Sequence, residues 1–362
     1  MNFIQREIYM SSVIKIGLAG IGRAGWGMHC KELEGKENQF KIVAACDIVA
    51  ERREMMEKQY KCKTYQRLED MILNPDVELV DIATRSCDHY AHAIMALNAG
   101  KDVFLEKPMC LNYDEALRLK KFAEQARGNL YIRHNRRFEH GFLHIREIIS
   151  SGILGDVYYV KLARHGYARR DDWQTLIEYG GGQLLNWGPH IVDHALRFLE
   201  SPAKSVWSDL KLIAAAGDAE DHVKIVLTGE NRRVIDMEIS GGAALIAPIC
   251  TVLGTKGGSS LTGETITMRY LDPEQKLSTR IPNPENPSLD TFGTPEELPW
   301  IKEEIPVCPK KTYDIWNELY NAIKGKSQFP ITLEESVEVM RIISIAKSNT
   351  PIEAYKIPYM AH

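Results

Sequence analysis

The sequence lacks the features that mark membrane, disulfide-rich or nucleic-acid-binding proteins. No apolar run approaches the about 20 residues of a membrane-spanning helix. The seven cysteines are scattered, odd in number and without a C-x-x-C pair, which indicates reduced thiols in a cytoplasmic protein. A net charge of -4 excludes an overall basic footprint for nucleic acid. Residues 1–12 include Arg6 and Glu7 and have no continuous apolar core, so they do not predict a signal peptide.

The length and the order of patterns predict two domains. At 362 residues, with 44% hydrophobic and 26% charged residues, the chain exceeds most single cores. The predicted strands of the first part are 13–19, 40–46, 77–83, 103–106 and 130–133. Helices are predicted between them at 23–33, 50–59, 68–73, 89–99 and 114–126. This alternation indicates an α/β domain over residues 13–135, a Rossmann fold with a doubly wound parallel sheet.

The pattern changes after about residue 135. Helices are predicted at 142–151, 190–199, 312–324 and 333–348, and a strand at 157–164. Between residues 205 and 268, further strands are separated by glycine-containing turns, and 283–299 is predicted to be a surface loop. Residues 136–362 therefore predict an α+β domain with a large open, mostly antiparallel sheet that serves substrate binding and oligomerisation. We expect the site in the cleft between the domains.

A glycine run follows the first predicted strand and opens a helix. It reads Gly20-Ile21-Gly22-Arg23-Ala24-Gly25. In a dinucleotide-binding turn, Gly20 permits the tight bend and Gly22 permits close approach of the pyrophosphate. Gly25 permits the helix to pack on the strand. Because the strand and helix patterns surround the run, it predicts a dinucleotide site.

Asp47 ends the second predicted strand, where it would accept hydrogen bonds from the adenosine ribose. A carboxylate there repels a 2′-phosphate, so NAD is favoured over NADP. Arg52 and Arg53 lie close enough in sequence to weaken that preference. The alternative is that Asp47 merely caps the next turn.

Glu106-Lys107-Pro108 ends the apolar strand 103–106. Ligands of doubly wound sheets bind outside the carboxyl ends of the strands, so the Lys107 amine should face the same crevice as the cofactor. A primary amine beside the nicotinamide suggests chemistry on an oxygen or a carbonyl.

Together these pieces resemble the Gfo/Idh/MocA oxidoreductase family over nearly the whole chain. In chain order they are the glycine run, Asp47, Ile82-Ala83-Thr84, His89, the run 99–108, Asn135-Arg136-Arg137-Phe138, the run 152–157 and the run 180–193. The resemblance implies a nicotinamide cofactor and a homodimer or homotetramer joined through the open sheets. We expect cofactor contacts from Gly20, Ile21, Gly22, Arg23, Ala24, Gly25, Asp47, Thr84, His89, Glu106 and Lys107.

The resemblance also implies a catalytic pair. Lys107 matches the family's active-site lysine, which hydrogen-bonds the reacting oxygen. His190 matches the general acid and base, a role suited to an imidazole titrating near neutrality. This chain has Asn186 where many relatives have aspartate, so the third predicted catalytic residue is an amide. Asp193, one helical turn beyond His190, is an alternative carboxylate or a structural residue.

The substrate wall is expected from Arg164, Trp173, Asn186 and Asp193. Guanidinium donors and an aromatic face together suit a polyol. An equal alternative for any one of these residues is that the arginine belongs to a charged surface loop and the tryptophan packs in the core beneath it. Arg85 replaces the family's usual proline and either adds a charge beside the pyrophosphate or is solvated.

Two clusters predict no site. His89 and His92 lie three residues apart beside Cys87, but no second ligand cluster completes a zinc site, so no metal is expected. The acidic run Asp218-Ala219-Glu220-Asp221 predicts a solvated turn.

The predicted function is an NAD-dependent oxidoreductase acting on a sugar or polyol. One alternative is an NAD-using glycosidase or lyase that works through a transient keto sugar. The other is a non-catalytic regulator that senses the nucleotide, but the presence of both Lys107 and His190 argues against it.

Overall fold

The computed structural model describes residues 13–282, 284 and 296–350. The N-terminal segment 1–12 and most of the loop predicted at 283–299 lie outside these residues. Among the described helices, none is both long and apolar enough to cross a membrane.

The first sheet contains six parallel strands in the order β3-β2-β1-β4-β5-β6, which confirms the predicted Rossmann arrangement. Its strands are β1 Ile14–Ala19, β2 Phe40–Cys46, β3 Lys63–Tyr65, β4 Leu79–Ile82, β5 Asp102–Glu106 and β6 Leu130–Arg133. The sequence patterns did not predict β3, because it is a three-residue edge strand without a fully buried residue.

Helices follow these strands where the sequence predicts them. They are α1 Ala50–Tyr60, α2 Leu68–Ile72, α3 His89–Asn98 and α4 Tyr113–Ala123. The Asn112 side chain accepts the Glu115 N–H at 2.9 Å and so caps α4. The helix predicted at 23–33 begins as a π-helical turn, Gly25–Cys30, in which the His29 N–H donates to the Ala24 carbonyl five residues back.

The second sheet has eight strands in the order β14-β13-β12-β11-β7-β10-β9-β8. They are β7 Val157–His165, β8 Ala203–Lys211, β9 His222–Gly229, β10 Val234–Ser240, β11 Cys250–Gly254, β12 Gly257–Thr262, β13 Thr265–Leu271 and β14 Trp300–Pro306. Every pairing is antiparallel except β7 with β10, which confirms the predicted mostly antiparallel sheet.

Five helices complete the described fold: α5 His140–Ser150, α6 Gln183–Asn186, α7 Gly188–Leu199, α8 Ile315–Ile323 and α9 Leu333–Asn349. A boundary after residue 135 separates the strands of the two sheets but not all the helices. Trp316 of α8 packs edge-on against Phe40 and Phe104 of the first sheet, with ring centroids 5.4 and 5.0 Å apart. The α9 residue Ser344 accepts the Tyr113 N–H of α4 at 2.8 Å.

The prediction of a solvated turn at residues 218–221 is wrong. Glu220 and Asp221 are only 5% and 4% exposed. Asp221 accepts backbone N–H groups of residues 213–215 at 2.6 to 2.8 Å, and Glu220 accepts the Leu184 N–H at 2.8 Å. These carboxylates therefore satisfy buried backbone donors, and Glu220 supports the segment that carries Asn186.

Candidate active site

The glycine run forms a tight turn between β1 and the π-helical turn. Gly20 has φ +91°, and a Cβ there would lie 2.5 Å from the Ala83 carbonyl oxygen. A Cβ on Gly25 would lie 2.0 Å from the Gly20 oxygen. At Gly22 the nearest neighbour of such a Cβ is an Arg52 nitrogen, 4.0 Å away. Protein packing thus requires Gly20 and Gly25, whereas Gly22 borders open space that fits a pyrophosphate.

A cleft of about 770 Å³ runs from this turn to Lys107 and Asn186. Its volume lies within the range of about 300–1,000 Å³ typical of ligand sites. The predicted cofactor residues that line it are Gly20, Gly22, Arg23, Ala24, Asp47, Thr84, His89, Glu106 and Lys107. Two others lie behind it: Gly25 packs against Gly20, and the Ile21 side chain is 2% exposed.

Asp47 is almost fully buried and lines the cleft just after β2. It accepts the Ile21 N–H at 2.8 Å and the Val49 N–H at 2.9 Å. It therefore caps the following turn and also stabilises the glycine loop. Arg52 lies 3.3 Å from the same carboxylate and lines the cleft, so a cation stands beside the predicted ribose acceptor.

Lys107 is half-buried where the cleft meets the second domain. Its ammonium donates to the Asn186 carbonyl at 3.0 Å. Burial lowers the pKa of Lys107, and the adjacent Glu106 carboxylate opposes that shift. The His89 ring donates through Nδ1 to the Pro108 carbonyl at 2.7 Å, and its Nε2 lies 3.2 Å from the Thr84 carbonyl. His89 therefore positions the Lys107–Pro108 segment rather than binding a metal.

A buried network of ionic groups contacts the Glu106 carboxylate. His29 is fully buried, with Nδ1 2.8 Å from Asp81 and Nε2 3.0 Å from Glu106. Arg133 donates to Glu106 at 2.7 Å and also pairs with Glu32. Burial alone would raise the pKa of Glu106, but Arg133 and His29 hold it well below its usual range. The sequence patterns did not indicate this network of ionic groups, because its residues come from separate helices and strands.

Asn186 joins the two domains directly through its backbone and indirectly, by way of Gln174, through its side chain. Besides binding Lys107 through its carbonyl, it accepts a hydrogen bond from Gln174 Nε2 at 3.3 Å through Oδ1. Gln174 also accepts from Arg23 of the glycine loop. The amide of Asn186 lines the cleft, so it can donate to a substrate hydroxyl.

His190 lies in the first turn of α7, just after the Asn186 segment. It is 6% exposed, and within the described part of the chain its buried Nδ1 has no hydrogen-bond partner. Burial, then the charges of Lys107 and Arg136, lower its pKa well below the usual value. The structure therefore favours the neutral imidazole, with a pKa below the near-neutral value that the sequence interpretation assumed.

The predicted substrate residues separate into three places. Trp173 and Asn186 line the cofactor cleft, and Arg164 lines an adjoining cavity next to His190. The position of Asp193 corrects the prediction that it belongs to the substrate wall. Asp193 is 1% exposed and both its carboxylate oxygens bind the Arg137 guanidinium, at 2.9 Å for Oδ2, so it is a structural ion-pair partner outside the cleft.

Arg85 lines the cofactor cleft, with its guanidinium 4.5 Å from the Tyr179 ring centroid. Nearby, His92 Nδ1 lies 3.0 Å from the Thr84 hydroxyl. Across residues 13–282, 284 and 296–350, no three His, Cys, Asp or Glu side chains are grouped so as to hold a metal ion.

Comparisons with known proteins agree with this fold and cleft. Residues 14–134 match the oxidoreductase family model for the NAD-binding Rossmann fold. Residues 142–260 match the model of the GFO/IDH/MocA C-terminal domain. An NAD-binding protein from Listeria innocua has a similar structure, with a TM-score of 0.80 and 24% identity over 94% of this chain and 97% of that one.

Relatives with named activities include two inositol dehydrogenases. The inositol 2-dehydrogenase of Salmonella typhimurium is 35% identical over 74% of this chain and 79% of its own. The scyllo-inositol 2-dehydrogenase (NADP(+)) IolW of Bacillus subtilis is 26% identical over 93% of this chain and 94% of its own. With both family models covering most of the sequence, the chain belongs to the Gfo/Idh/MocA family of NAD(P)-binding oxidoreductases.

Proposed function

We propose that this protein is an NAD(H)-dependent dehydrogenase acting on a hydroxyl or keto group of a sugar or polyol. The observation that carries the proposal is a half-buried lysine bound to Asn186 at the end of the cofactor cleft, with a buried histidine four residues beyond Asn186 in the wall of the adjoining cavity. The inositol dehydrogenase activity named for two relatives supports a polyol substrate.

The mechanism assigns a separate task to each residue. Bound nicotinamide would supply the hydride acceptor or donor. Lys107 donates a hydrogen bond to the reacting oxygen and stabilises the negative charge that develops on it. His190, neutral before the reaction, accepts the hydroxyl proton during oxidation and returns it during reduction. The Asn186 amide orients a neighbouring hydroxyl without adding charge.

NAD(H) is the proposed cofactor because the Asp47 carboxylate would repel a 2′-phosphate. Arg52 weakens that preference, since it could leave Asp47 and pair with such a phosphate. The Bacillus relative is named as NADP-dependent, so the preference of this protein for NAD(H) over NADP(H) has to be measured. Calorimetric titration of the wild type with NADH and NADPH decides between the two cofactors.

The proposed assembly is a homodimer or homotetramer joined through the eight-stranded sheet. Tyr158 of β7, Leu253 of β11 and Trp300 of β14 are 52%, 37% and 36% exposed and line one surface pocket of this sheet. Grouped exposed apolar side chains of this kind mark interaction surfaces. Light scattering of the purified protein measures the mass directly, and a monomer would contradict this assembly.

The test of the activity is a panel of sugars and polyols, following NADH absorbance and glycoside cleavage in parallel. We expect NADH formation with at least one polyol, and its loss in Lys107→Ala. Lys121→Ala, at an exposed position of α4, is the matched control and should behave as the wild type. Cleavage of glycosides without net NADH formation would instead support the glycosidase route.

A further inference from the structure

A second cavity begins where the cofactor cleft ends. Its volume is about 390 Å³, and Arg136, Arg164, Trp187 and His190 line one end. The rest of the wall is mostly apolar side chains, many of them from α5, α7 and β7, together with His140 and His194. Trp187 directly follows Asn186 of the cleft, so the two spaces meet at the proposed catalytic residues. His190, 6% exposed, brings a buried imidazole to this wall.

Two guanidinium groups converge on the indole ring at this end. The Arg136 and Arg164 guanidinium carbons lie 4.1 and 4.5 Å from the Trp187 ring centroid. Trp187 itself packs edge-on against His190, with centroids 5.6 Å apart. The backbone of Arg136 is fixed as well, because its carbonyl accepts the His194 Nε2–H at 2.8 Å. The cations are therefore built into the wall on a rigid aromatic support.

These two cations share one carboxylate. Glu139 contacts Arg136, and its two oxygens lie 3.4 Å from a single Arg164 nitrogen, which is a long hydrogen bond. The other carboxylate on the lining, Glu264, is exposed at the turn between β12 and β13 and is screened by water. With Lys107 already beside Glu106, the arginine pair leaves about one uncompensated positive charge.

Neighbouring groups respond to that charge. Burial lowers the pKa of Arg164, Glu139 opposes the shift, and the like charge of Arg136 adds to it. A neutral polyol would leave this repulsion in place. An anion between the guanidinium groups would relieve it and form charge-assisted hydrogen bonds with donors that otherwise face open space.

We propose that the substrate is a polyol bearing a carboxylate, such as a uronic or aldonic acid, whose carboxylate binds Arg136 and Arg164 while its reacting hydroxyl faces Lys107 and His190. The inference rests on the proposed dehydrogenase activity and narrows its substrate class. A single negative charge matches the uncompensated charge of the pair, which favours a carboxylate over a doubly charged phosphate. The apolar remainder of the cavity suits the C–H faces of a sugar ring.

The experiment compares sugars that differ only at one carbon, D-glucose with D-glucuronate and D-galactose with D-galacturonate. For the wild type with NAD, we expect kcat/KM to favour the acid on the order of tenfold or more in at least one pair. Arg164→Gln should remove most of that preference, chiefly through KM on the acid. Arg146→Gln is the matched control, because its guanidinium also lies over an aromatic ring of α5, 5.8 Å from the Phe142 centroid, but outside this cavity.

Calorimetric binding of each sugar to the NAD-loaded protein separates the two levels of the proposal. Binding of the acid without oxidation would support the charged subsite and contradict the dehydrogenase activity. If neutral sugars are oxidised with kcat/KM equal to or higher than that of the acids, the proposal of a carboxylate-bearing substrate is wrong. The proposal of dehydrogenase activity would still hold. The carboxylate subsite would also be overturned if Arg164→Gln lowered kcat/KM equally for the acid and the neutral sugar of a pair while melting temperature and NADH affinity stayed unchanged.

Discussion

The buried His29 between two carboxylates predicts a specific dependence of stability on pH. Burial alone would lower the pKa of His29, but the Asp81 charge and the hydrogen bonds that the imidazole donates to Asp81 and Glu106 raise it from 6.5 to about 9. The unfolded chain releases its proton near 6.5. The stabilisation is therefore complete below pH 6.5 and is lost as pH rises toward 9.

Its size follows from the shift. At about 1.4 kcal/mol for each pKa unit, the protonated imidazole contributes about 3 kcal/mol to the free energy of unfolding. For a domain of this size that is on the order of 10 °C in melting temperature. The atoms concerned are fully buried, so screening by salt should reduce the effect little.

The assay compares melting of the wild type, His29→Gln and His140→Gln between pH 6 and 9.5. Other groups titrate in this range, so the quantity to follow is the difference between wild type and variant. For His29→Gln we expect the difference to be largest at pH 6 and to shrink by pH 9.5. His140, exposed at the start of α5, should give a small and constant difference. A pH-independent difference for His29→Gln would show that the buried imidazole is neutral and would refute the reasoning.

Three further predictions concern the site. Lys107→Ala should lower turnover by two or more decades, or roughly 3 kcal/mol of transition-state stabilisation, with NADH affinity within a few-fold; turnover near that of the wild type would contradict the role. Asp47→Ala should narrow the gap between NADH and NADPH affinity in calorimetry, and equal or tighter NADPH binding by the wild type would refute the premise. Asn186→Asp should raise the pKa of His190 and so move the acid limb of kcat/KM against pH upward. An unchanged or downward-shifted limb would show that residues 186 and 190 do not share a site.

The fold could be predicted because its signals are local. Apolar alternation, glycine turns and the Asn112 cap each act within a few residues, and they specified the parallel sheet and most helices. The exceptions also have local reasons. The strand β3 has no buried face to produce a pattern, and the π-helical turn at Gly25–Cys30 differs from an α-helix by one residue in its hydrogen bonding.

The sequence could predict the residues of the site only where a residue's role does not depend on a distant partner. Gly20, Gly22, Asp47, Lys107 and Asn186 line the predicted cleft. Asp193 and the acidic run 218–221 could not be assigned correctly, because a carboxylate's role depends on distant partners. Arg137, 56 residues away, binds Asp193, and backbone donors bury Asp221. Sequence spacing contains no signal for such pairs.

The position of Lys107 depends on both domains at once. Its backbone follows β5 of the first sheet, whereas its ammonium binds the Asn186 carbonyl of the second domain at 3.0 Å. Separation of the domains would remove that acceptor from a half-buried cation, which is costly because few alternative partners remain near it. The Arg23–Gln174–Asn186 contacts connect the glycine loop to the same segment. The glycine loop, Lys107 and the Asn186 segment therefore share one set of hydrogen bonds, so the orientation of Lys107 depends on the contact between the two domains.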